Sequence, residues 1–291
     1  MLLQNRHVLM SDTVYFNNEQ HINPYYHDES IDTDIASEEH DNIVQLLAGA
    51  GVSVTLVPSP AGSQDGVYAA NWALVRDGVA ILARLPGARK AEEDHAEEVL
   101  TKMNIDVRRV PDGLKFSGQG DALACGNFLF CGKGYRSDEA AQKFAADTLG
   151  YERIQLQTVP ELDSDGNPVI NSASGWADSF FYDIDLALAV IKPPTETEKG
   201  LIAYCPDAFT DESRQILQWF DEVDKIEVSL DEAEQAFACN LVSTGETVVM
   251  SENAPNLRSE LEARGLTVVS PSITELVKGG GYIRCTSLCL D

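Results

Sequence analysis

A short structural unit recurs along this chain at intervals of about fifty residues. Apolar runs that open on a polar residue begin at Asn71, Asp121, Asp185 and Asn240. Each run passes through a turn into a second apolar run, the pattern of a β-hairpin. Repeats of this length are typical of solenoids and radial arrays, and diverged copies without extending caps favour a closed ring. The repeat therefore predicts an α/β fold built from similar units around an axis.

Each hairpin is followed by a segment with helical spacing and then by a third strand. Helices are predicted at 38–51, 137–150, 210–223 and 256–265, and two of them open with Ser or Thr followed by an acid, a helix start signal. The strands that follow are predicted at 52–58, 154–159, 225–230 and 266–271. The chain thus contains four or five copies of one hairpin–helix–strand unit. No linker divides them, so residues 1–291 are predicted to form a single domain.

The polar residues that open the hairpins occupy equivalent places in the repeat. In a closed ring, equivalent strand starts converge at one end of the central axis. Asn71, Asp121, Asp185 and Asn240 would meet there, together with the segment RCTS at 284–287. A single Asp before a strand is usually a turn former, but five such positions in register predict a shared site.

Charge and hydropathy exclude several kinds of partner. The net charge of −26 argues against nucleic acid and anionic membranes, because both require a basic face. No run approaches the ~18 apolar residues of a membrane helix, and the first residues lack the sustained apolar region of a signal peptide. We therefore expect a cytoplasmic protein that binds neither nucleic acid nor membrane.

Neither the cysteines nor two motifs that partly match a calcium loop and a dinucleotide fingerprint indicate a metal or a cofactor. All six cysteines lie in or beside apolar runs, as buried reduced thiols do in cytosolic proteins. There is no CxxC pair, and every histidine lies in the first third of the chain, so zinc spacing is not available. Pro168 occupies the position where a calcium loop needs glycine, and Leu123 the third glycine position of a dinucleotide fingerprint.

Four segments together resemble the pentein, or amidinotransferase, superfamily. The segments are SQDGVYAANWALVRDGVAILARLPGAR at 63–89, FSGQGDAL through LFCGKGYRSDEAA at 116–141, FFYDIDLALAVI through GLIAYCPDAF at 180–209, and GGGYIRCTSL at 279–288. Members of this superfamily include dimethylarginine dimethylaminohydrolase, arginine deiminase and citrulline ureidase. The resemblance implies a five-bladed β/α propeller, a small amino-acid substrate and a possible homodimer.

The resemblance also implies a nucleophile and residues that hold the substrate. Cys285 matches the family nucleophile, which attacks a guanidinium or ureido carbon. Asp65 and Arg136 match positions that usually touch the amino-acid end of the substrate, and Arg84 is a further candidate for that contact.

Around the reacting group the chain keeps some family residues and replaces others. Asp121 and Asp185 match positions that flank the group, and Asp121 is predicted to take part in catalysis. Asn71 stands where guanidinium-binding members commonly carry aspartate. Asp183 occupies the place of the usual histidine, and Ser117 that of the usual acid. No histidine follows residue 95, so Asp183 is the expected proton-transfer group. Burial or a neighbouring carboxylate would have to raise its pKa.

The chemistry of C–N cleavage explains why these residue types are needed. A resonance-stabilised guanidinium or urea requires a strong nucleophile, and thiolate is the best side chain available. A thiol needs a nearby cation, a helix N-terminus or a cationic substrate to ionise near neutrality. The glycines at 279–281 permit close backbone approach to the sulfur of Cys285. Cys289 lies four residues later on the same strand and is predicted to be a core residue.

The charge of the substrate separates the remaining alternatives. Asn71 and Ser117 remove two negative charges from the place where a guanidinium would bind. A cationic guanidinium prefers carboxylates, whereas a neutral ureido group prefers mixed donors and acceptors. We therefore favour hydrolysis of citrulline to ornithine, ammonia and carbon dioxide through a covalent thiol intermediate. The alternatives are an arginine or dimethylarginine hydrolase, and a non-catalytic binding protein of pentein fold.

Overall fold

Five three-stranded sheets with one strand order form the structure, a computed structural model that describes residues 4–26 and 29–291. In every sheet the inner strand pairs antiparallel with a middle strand, and the middle strand pairs parallel with an outer one. A helix connects the middle strand to the outer strand, as a parallel crossover requires. The predicted five-bladed β/α propeller is confirmed.

Four of the sheets follow one another along the chain. Their elements are β3 (Ala73–Arg76), β4 (Val79–Leu82), α2 (Ala91–Lys102) and β5 (Asp106–Arg109); β6 (Ala122–Cys125), β7 (Phe128–Gly132), α3 (Glu139–Leu149) and β8 (Glu152–Leu156); β9 (Leu188–Lys192), β10 (Gly200–Tyr204), α4 (Asp211–Trp219) and β11 (Val223–Glu227); and β12 (Val242–Ser243), β13 (Thr247–Val249), α6 (Pro255–Ala263) and β14 (Thr267–Val269). A short additional helix, α5 (Leu230–Ala236), precedes the last of these sheets.

The fifth sheet joins the two ends of the chain. Its middle strand β1 (His7–Ser11), its helix α1 (Thr33–Gly49) and its outer strand β2 (Ser53–Val57) come from the N-terminal part, and its inner strand β15 (Ser287–Cys289) from the C-terminal part. Leu288 of β15 lies opposite Leu9 of β1, and both are fully buried. The fifth blade is therefore complete only when both ends are in place.

Amphipathic helices cover the outside of the ring because their apolar faces need burial against the sheets. The buried face of α3 consists largely of alanine, at positions 141, 145 and 146, so this helix packs close to its sheet. Asp32 caps α1 by accepting bonds from two backbone amides of the first turn, and Gly150 ends α3 in the left-handed conformation. Among the described residues, no helix is both long and apolar enough to cross a membrane.

Short 3₁₀ turns lead into three of the inner strands and carry polar residues to the same end of the axis. Asn71 lies in the turn 69–72, Asp121 directly after the turn 118–120, and Asp185 in the turn 184–186. The turns therefore bring these polar residues to one end of the axis, as the repeat predicted.

The predicted helices and following strands are confirmed, with ends shifted by a few residues. The sequence pattern gave no bounds for α2, the helix expected after the hairpin that Asn71 opens, and no prediction for α5. Helix α2 is rich in acidic residues. Two of them, Glu92 and Glu93, are buried and form ion pairs with neighbouring basic side chains instead of facing solvent. The buried face of α2 therefore includes ion-paired acids, and its sequence does not show the apolar spacing of an ordinary amphipathic helix.

Truncating the buried contact between the chain ends should weaken the whole ring. We expect Leu288→Ala to lower the free energy of unfolding by about 2–5 kcal/mol, because a leucine buried in a core leaves a cavity that its neighbours fill only in part. Urea unfolding followed by circular dichroism measures the change. Leu56→Ala in β2 of the same sheet is the control, since Leu56 is 56% exposed and should change stability by no more than about 0.5 kcal/mol. Equal effects of the two substitutions would contradict the structural importance of this closure.

Candidate active site

A narrow cavity opens at the end of the axis where the polar turns meet. Its free volume is about 20 Å³, about the room that one water molecule needs, so side chains must shift to admit an amino acid. Of the residues predicted for the site, six line the cavity: Asp65, Asn71, Ser117, Arg136, Asp183 and the proposed nucleophile Cys285. The residues Asp121, Asp185 and Asn240 lie behind this lining and are buried.

Cys285 is held by groups from two neighbouring blades. Its thiol donates to Asp185 Oδ2 over 3.4 Å, and Asn240 Nδ2 donates to its sulfur over 3.1 Å. The amide of Asn240 also accepts from the backbone N–H of Cys285 at 3.1 Å. Two hydrogen bonds to one residue fix the sulfur in position, which explains why the hairpin that Asn240 opens belongs to the site.

Each of the three glycines before Cys285 is required by its surroundings. A Cβ on Gly279 or Gly281 would overlap the Tyr68 ring or its hydroxyl, and Gly280 has φ +80° and lies against Asn23. The Tyr68 hydroxyl donates to the carbonyl of Leu276 at 2.6 Å. The glycine run therefore lets Tyr68 and Asn23 lie against the approach to the nucleophile.

Asp183 is bound by the two residues that replace family acids. Asn71 Nδ2 donates to Asp183 Oδ2 at 2.7 Å and to Ser117 Oγ at 2.9 Å. A Cβ on Gly120 would overlap Asn71 Nδ2 and lie 2.6 Å from Asp183 Oδ2, so only glycine leaves room for this contact. Asp183 Oδ1 is buried and has no hydrogen-bond partner among the described residues.

An arginine that the sequence analysis did not single out orients Asn71. Arg89 Nη1 donates to Asn71 Oδ1 at 2.9 Å, which turns the Nδ2 group of the amide towards Asp183. The same guanidinium forms an ion pair with Glu92 at 2.6 Å and lies 4.0 Å from Asp65 Oδ2. Arg89 lines the cavity and is buried.

Arg84, named above as a candidate for substrate contact, lies outside the cavity lining. It forms ion pairs with Glu93 at 3.3 Å and with the exposed Asp112 at 3.2 Å. The backbone of Arg84 pairs with Phe116 next to β4, which directs the side chain towards α2. Arg84 and Arg89 belong to one short sequence run, and no local pattern indicates which of them faces the axis.

Arg136 supplies a second cation to the cavity. It is buried, and its guanidinium donates through Nη2 to the carbonyl of Ile22 and lies 5.0 Å from the ring centroid of Tyr182. Its Nε has no partner among the residues that the structure describes. A buried donor without an acceptor is unfavourable, so this atom is available to an anionic group of a ligand.

Asp121 lies next to the reactive cluster rather than in the cavity. Its Oδ1 accepts from the backbone N–H of Ile184 at 3.1 Å, which ties the turn carrying Asp183 and Asp185 to the neighbouring blade. The general acid–base role predicted for Asp121 stays a prediction, and this contact also gives it a structural role.

The three carboxyl groups and the thiol cannot all be ionised in a buried cluster. Burial raises the pKa of Asp183, and burial together with the charge of Asp183 raises the pKa of Asp121 and Asp185 well above the usual range. Burial and the charge of Asp185 likewise raise the pKa of the Cys285 thiol. The cluster therefore holds protons near neutral pH that isolated carboxyl groups would have lost.

No histidine and no metal cluster accompany this thiol within the described ranges, 4–26 and 29–291. None of the cavity-lining residues is a histidine, and no group of three or more His, Cys, Asp or Glu side chains in these ranges is arranged so that it could hold a metal ion. His27 lies outside the described residues.

Comparison with known proteins gives the family. The eukaryotic N,N dimethylarginine dimethylhydrolase family model matches residues 9–289, so the chain belongs to this family. The ring of five sheets is the pentein fold.

Individual relatives cover most of the chain at low identity. The N(G),N(G)-dimethylarginine dimethylaminohydrolase of Mycobacterium tuberculosis is 29% identical over 97% of this chain and 85% of its own length. The bifunctional arginine dihydrolase/ornithine cyclodeaminase AgrE of Nostoc is 28% identical over 88% of this chain, which spans only about a third of that protein. The product-bound N-terminal domain of the cyanobacterial arginine dihydrolase ArgZ is 25% identical with a TM-score of 0.85, covering 98% of this chain and 97% of that domain.

Removing the charge of Asp185 should make Cys285 easier to ionise. Because the Asp185 carboxylate raises the thiol pKa, we expect Asp185→Asn to shift the rate–pH profile of Cys285 alkylation by iodoacetamide to lower pH. Mass spectrometry of the Cys285 peptide follows the reaction without interference from the other cysteines. Asp112→Asn at the surface serves as the control and should leave the profile in place. A profile of Asp185→Asn that is unmoved, or moved to higher pH, would contradict the electrostatic account.

Proposed function

We propose that this chain hydrolyses a C–N bond of the guanidino group of an arginine-related amino acid, with Cys285 as nucleophile. The observation that carries the proposal is the hydrogen bond from the Cys285 thiol to Asp185 beside a cavity lined by Asp183 and Arg136. A nucleophile next to a base, with a further acid and a cation in the same cavity, is the arrangement that acyl-type substitution at carbon needs.

The proposed reaction proceeds in two halves. In the first half, the thiol gives its proton to Asp185, the sulfur bonds to the guanidino carbon, and one C–N bond breaks as the departing nitrogen takes a proton from Asp183. In the second half, the Asp183 carboxylate removes a proton from water, the hydroxide adds to the same carbon, and the C–S bond breaks to return the thiolate. The raised pKa of Asp183 suits it to both proton transfers at neutral pH.

The unpartnered atoms around the cavity support a cationic substrate. The Oδ1 atoms of both Asp183 and Asp185 are buried without a partner among the described residues, and the N–H groups of a guanidinium would complement them. The unpartnered Nε of Arg136 complements a substrate carboxylate. A guanidinium would also lower the pKa of the Cys285 thiol by placing a positive charge beside it.

The printed names of the relatives support the same substrate class. They describe proteins acting on dimethylarginine or arginine, and the ArgZ domain was solved with its product. We therefore place arginine and its methylated forms ahead of citrulline, the substrate that the sequence alone favoured. Citrulline stays the second candidate because the amide of Asn71 and the hydroxyl of Ser117 provide neutral hydrogen bonding beside Asp183.

Turnover assays with site variants test the assignment of roles. We expect the wild-type protein to release ammonia or a methylamine from arginine or dimethylarginine, and Cys285→Ser to abolish this release. Asp183→Asn should lower kcat by about 10²–10⁴-fold, because a general acid–base group contributes about that much. Glu98→Gln on the exposed face of α2 is the control. If no guanidino or ureido compound is consumed and Cys285 resists an electrophilic amidine, the protein is a non-catalytic binding module instead.

Proton release on binding separates a cationic from a neutral substrate. In Cys285→Ala, which cannot react, arginine should bind at pH 7 with release of protons, because its positive charge lowers the raised pKa of Asp185 and ionises the carboxylate that accepts the thiol proton. Isothermal titration calorimetry in buffers of different ionisation enthalpy measures the number released. Citrulline should release none. Binding of citrulline but not of arginine would instead favour the ureido substrate.

A further inference from the structure

A second, larger cavity lies on the axis at the end opposite Cys285. Its volume is about 230 Å³, compared with about 20 Å³ for the candidate active site. An apolar cavity of about 150 Å³ can hold a molecule the size of benzene, so this one has room for a slightly larger molecule. All five sheets contribute to its wall, and the two cavities share none of the residues that line them. We call this space the axial cavity.

The wall of the axial cavity is largely apolar. Leu123, Leu188 and Leu241 come from three different inner-strand regions, and Tyr151 adds an aromatic ring. Ala124 of β6 is exposed although it belongs to an inner strand, because its side chain meets this open space. Such a wall favours the body of an apolar molecule over water alone.

Arg284 lines the axial cavity, and its hydrogen-bond partners are neutral groups. Arg284 donates through Nη1 to the carbonyl of Ser287 at 2.6 Å and through Nη2 to Gln119 Oε1 at 2.9 Å. No carboxylate of residues 4–26 or 29–291 lies within ion-pairing distance of it, whereas Arg76 on the same wall contacts Asp77 at 3.5 Å. In a chain of net charge −26, a half-buried arginine without a counter-ion is unusual.

We propose that the axial cavity binds a small organic carboxylate with an apolar body, whose carboxylate pairs with Arg284. The apolar wall takes the body of the ligand, and the guanidinium takes its charge in the geometry that suits a carboxylate. Asp77 and Asp291 also border the cavity and disfavour ligands with more than one negative charge. A monocarboxylate is therefore the class that fits.

Arg284 connects the two ends of the axis. It precedes Cys285 in the chain, and its backbone N–H donates to the carbonyl of Asn240, whose side chain holds the thiol. A bound carboxylate would offset the positive charge of Arg284, which is adjacent to Cys285 in the chain, so occupancy of the axial cavity should make the Cys285 thiol harder to ionise. This regulatory consequence rests on the proposed function, whereas binding itself does not.

The test uses three probes that differ in one property each. The probe 4-methylpentanoate has both the apolar body and the charge, 4-methylpentanamide lacks the charge, and acetate lacks the body. Cys289 lines the axial cavity, so its alkylation by iodoacetamide, followed by mass spectrometry, reports occupancy. We expect 4-methylpentanoate to slow the alkylation of Cys289 several-fold at saturation, and the other two probes to slow it far less. Equal protection by all three probes, or protection by none, would overturn the proposal.

Two variants locate the binding. Arg284→Gln should weaken the affinity for 4-methylpentanoate about ten- to a hundredfold, as expected when a hydrogen bond to a charged group is lost. Ala124→Phe should abolish binding by filling the cavity, and Ala140→Phe on the exposed face of α3 is its matched control. Calorimetric titration measures the affinities, and melting curves establish that each variant is folded. Undiminished affinity in both Arg284→Gln and Ala124→Phe would place the ligand elsewhere and overturn the assignment.

A separate measurement tests whether a ligand in the axial cavity changes the ionisation of Cys285. With 4-methylpentanoate bound, the rate–pH profile of Cys285 alkylation should move to higher pH in the wild-type protein and stay in place in Ala124→Phe. An unmoved profile with binding intact would remove the regulatory consequence but leave the site. Because this measurement needs no turnover, its result is independent of whether the protein hydrolyses a guanidino compound.

Discussion

The pairing of the first strand with the last is the contact on which the rest of the structure depends. It completes the fifth blade, and only a complete ring has a central axis with two ends. The last strand and the turn before it place Cys289 at one end of the axis and Cys285 at the other, so the candidate active site and the axial cavity are both consequences of ring closure. A barrel or an open sheet would provide no equivalent meeting point for residues from five separate units.

Burial of carboxyl groups around one thiol sets the chemistry of the site. Water would normally stabilise these charges, but the axis excludes it, so neighbouring acids share protons instead of all ionising. In the free site Arg89 pairs with Glu92, and Arg136 donates to the carbonyl of Ile22, so neither is the cation that would stabilise a thiolate. A guanidinium supplies that cation, which makes substrate binding and nucleophile activation one event. Asp183 can take the place of a histidine in this setting because burial moves its pKa towards neutrality.

The sequence repeat predicted four or five units around an axis and the convergence of Asn71, Asp121, Asp185 and Asn240, because both follow from equivalent positions in the repeat, and the family resemblance implied the five blades. Cys285 could be selected from six cysteines only through its glycine run and the family resemblance. Arg89 could not be found in this way, because its orientation depends on Glu92 and Asp65 in three dimensions. The same limitation led to Arg84, whose position beside β4 directs it to Glu93 and Asp112. No sequence pattern indicated the axial cavity, because the residues of its wall resemble those of an ordinary hydrophobic core.

The long separation of the two closing strands has a consequence for the order of folding. Val8 and Cys289, which pair in the fifth sheet, are 281 positions apart (289 − 8 = 281), whereas each of the other four sheets forms from a local stretch of chain. Closing so large a loop carries a high entropic cost, and contacts of this kind tend to form late. We expect the four local blades to assemble first and the nucleophile to reach its neighbours only in the final step. Partly folded molecules would then contain every blade except the one that makes the thiol reactive.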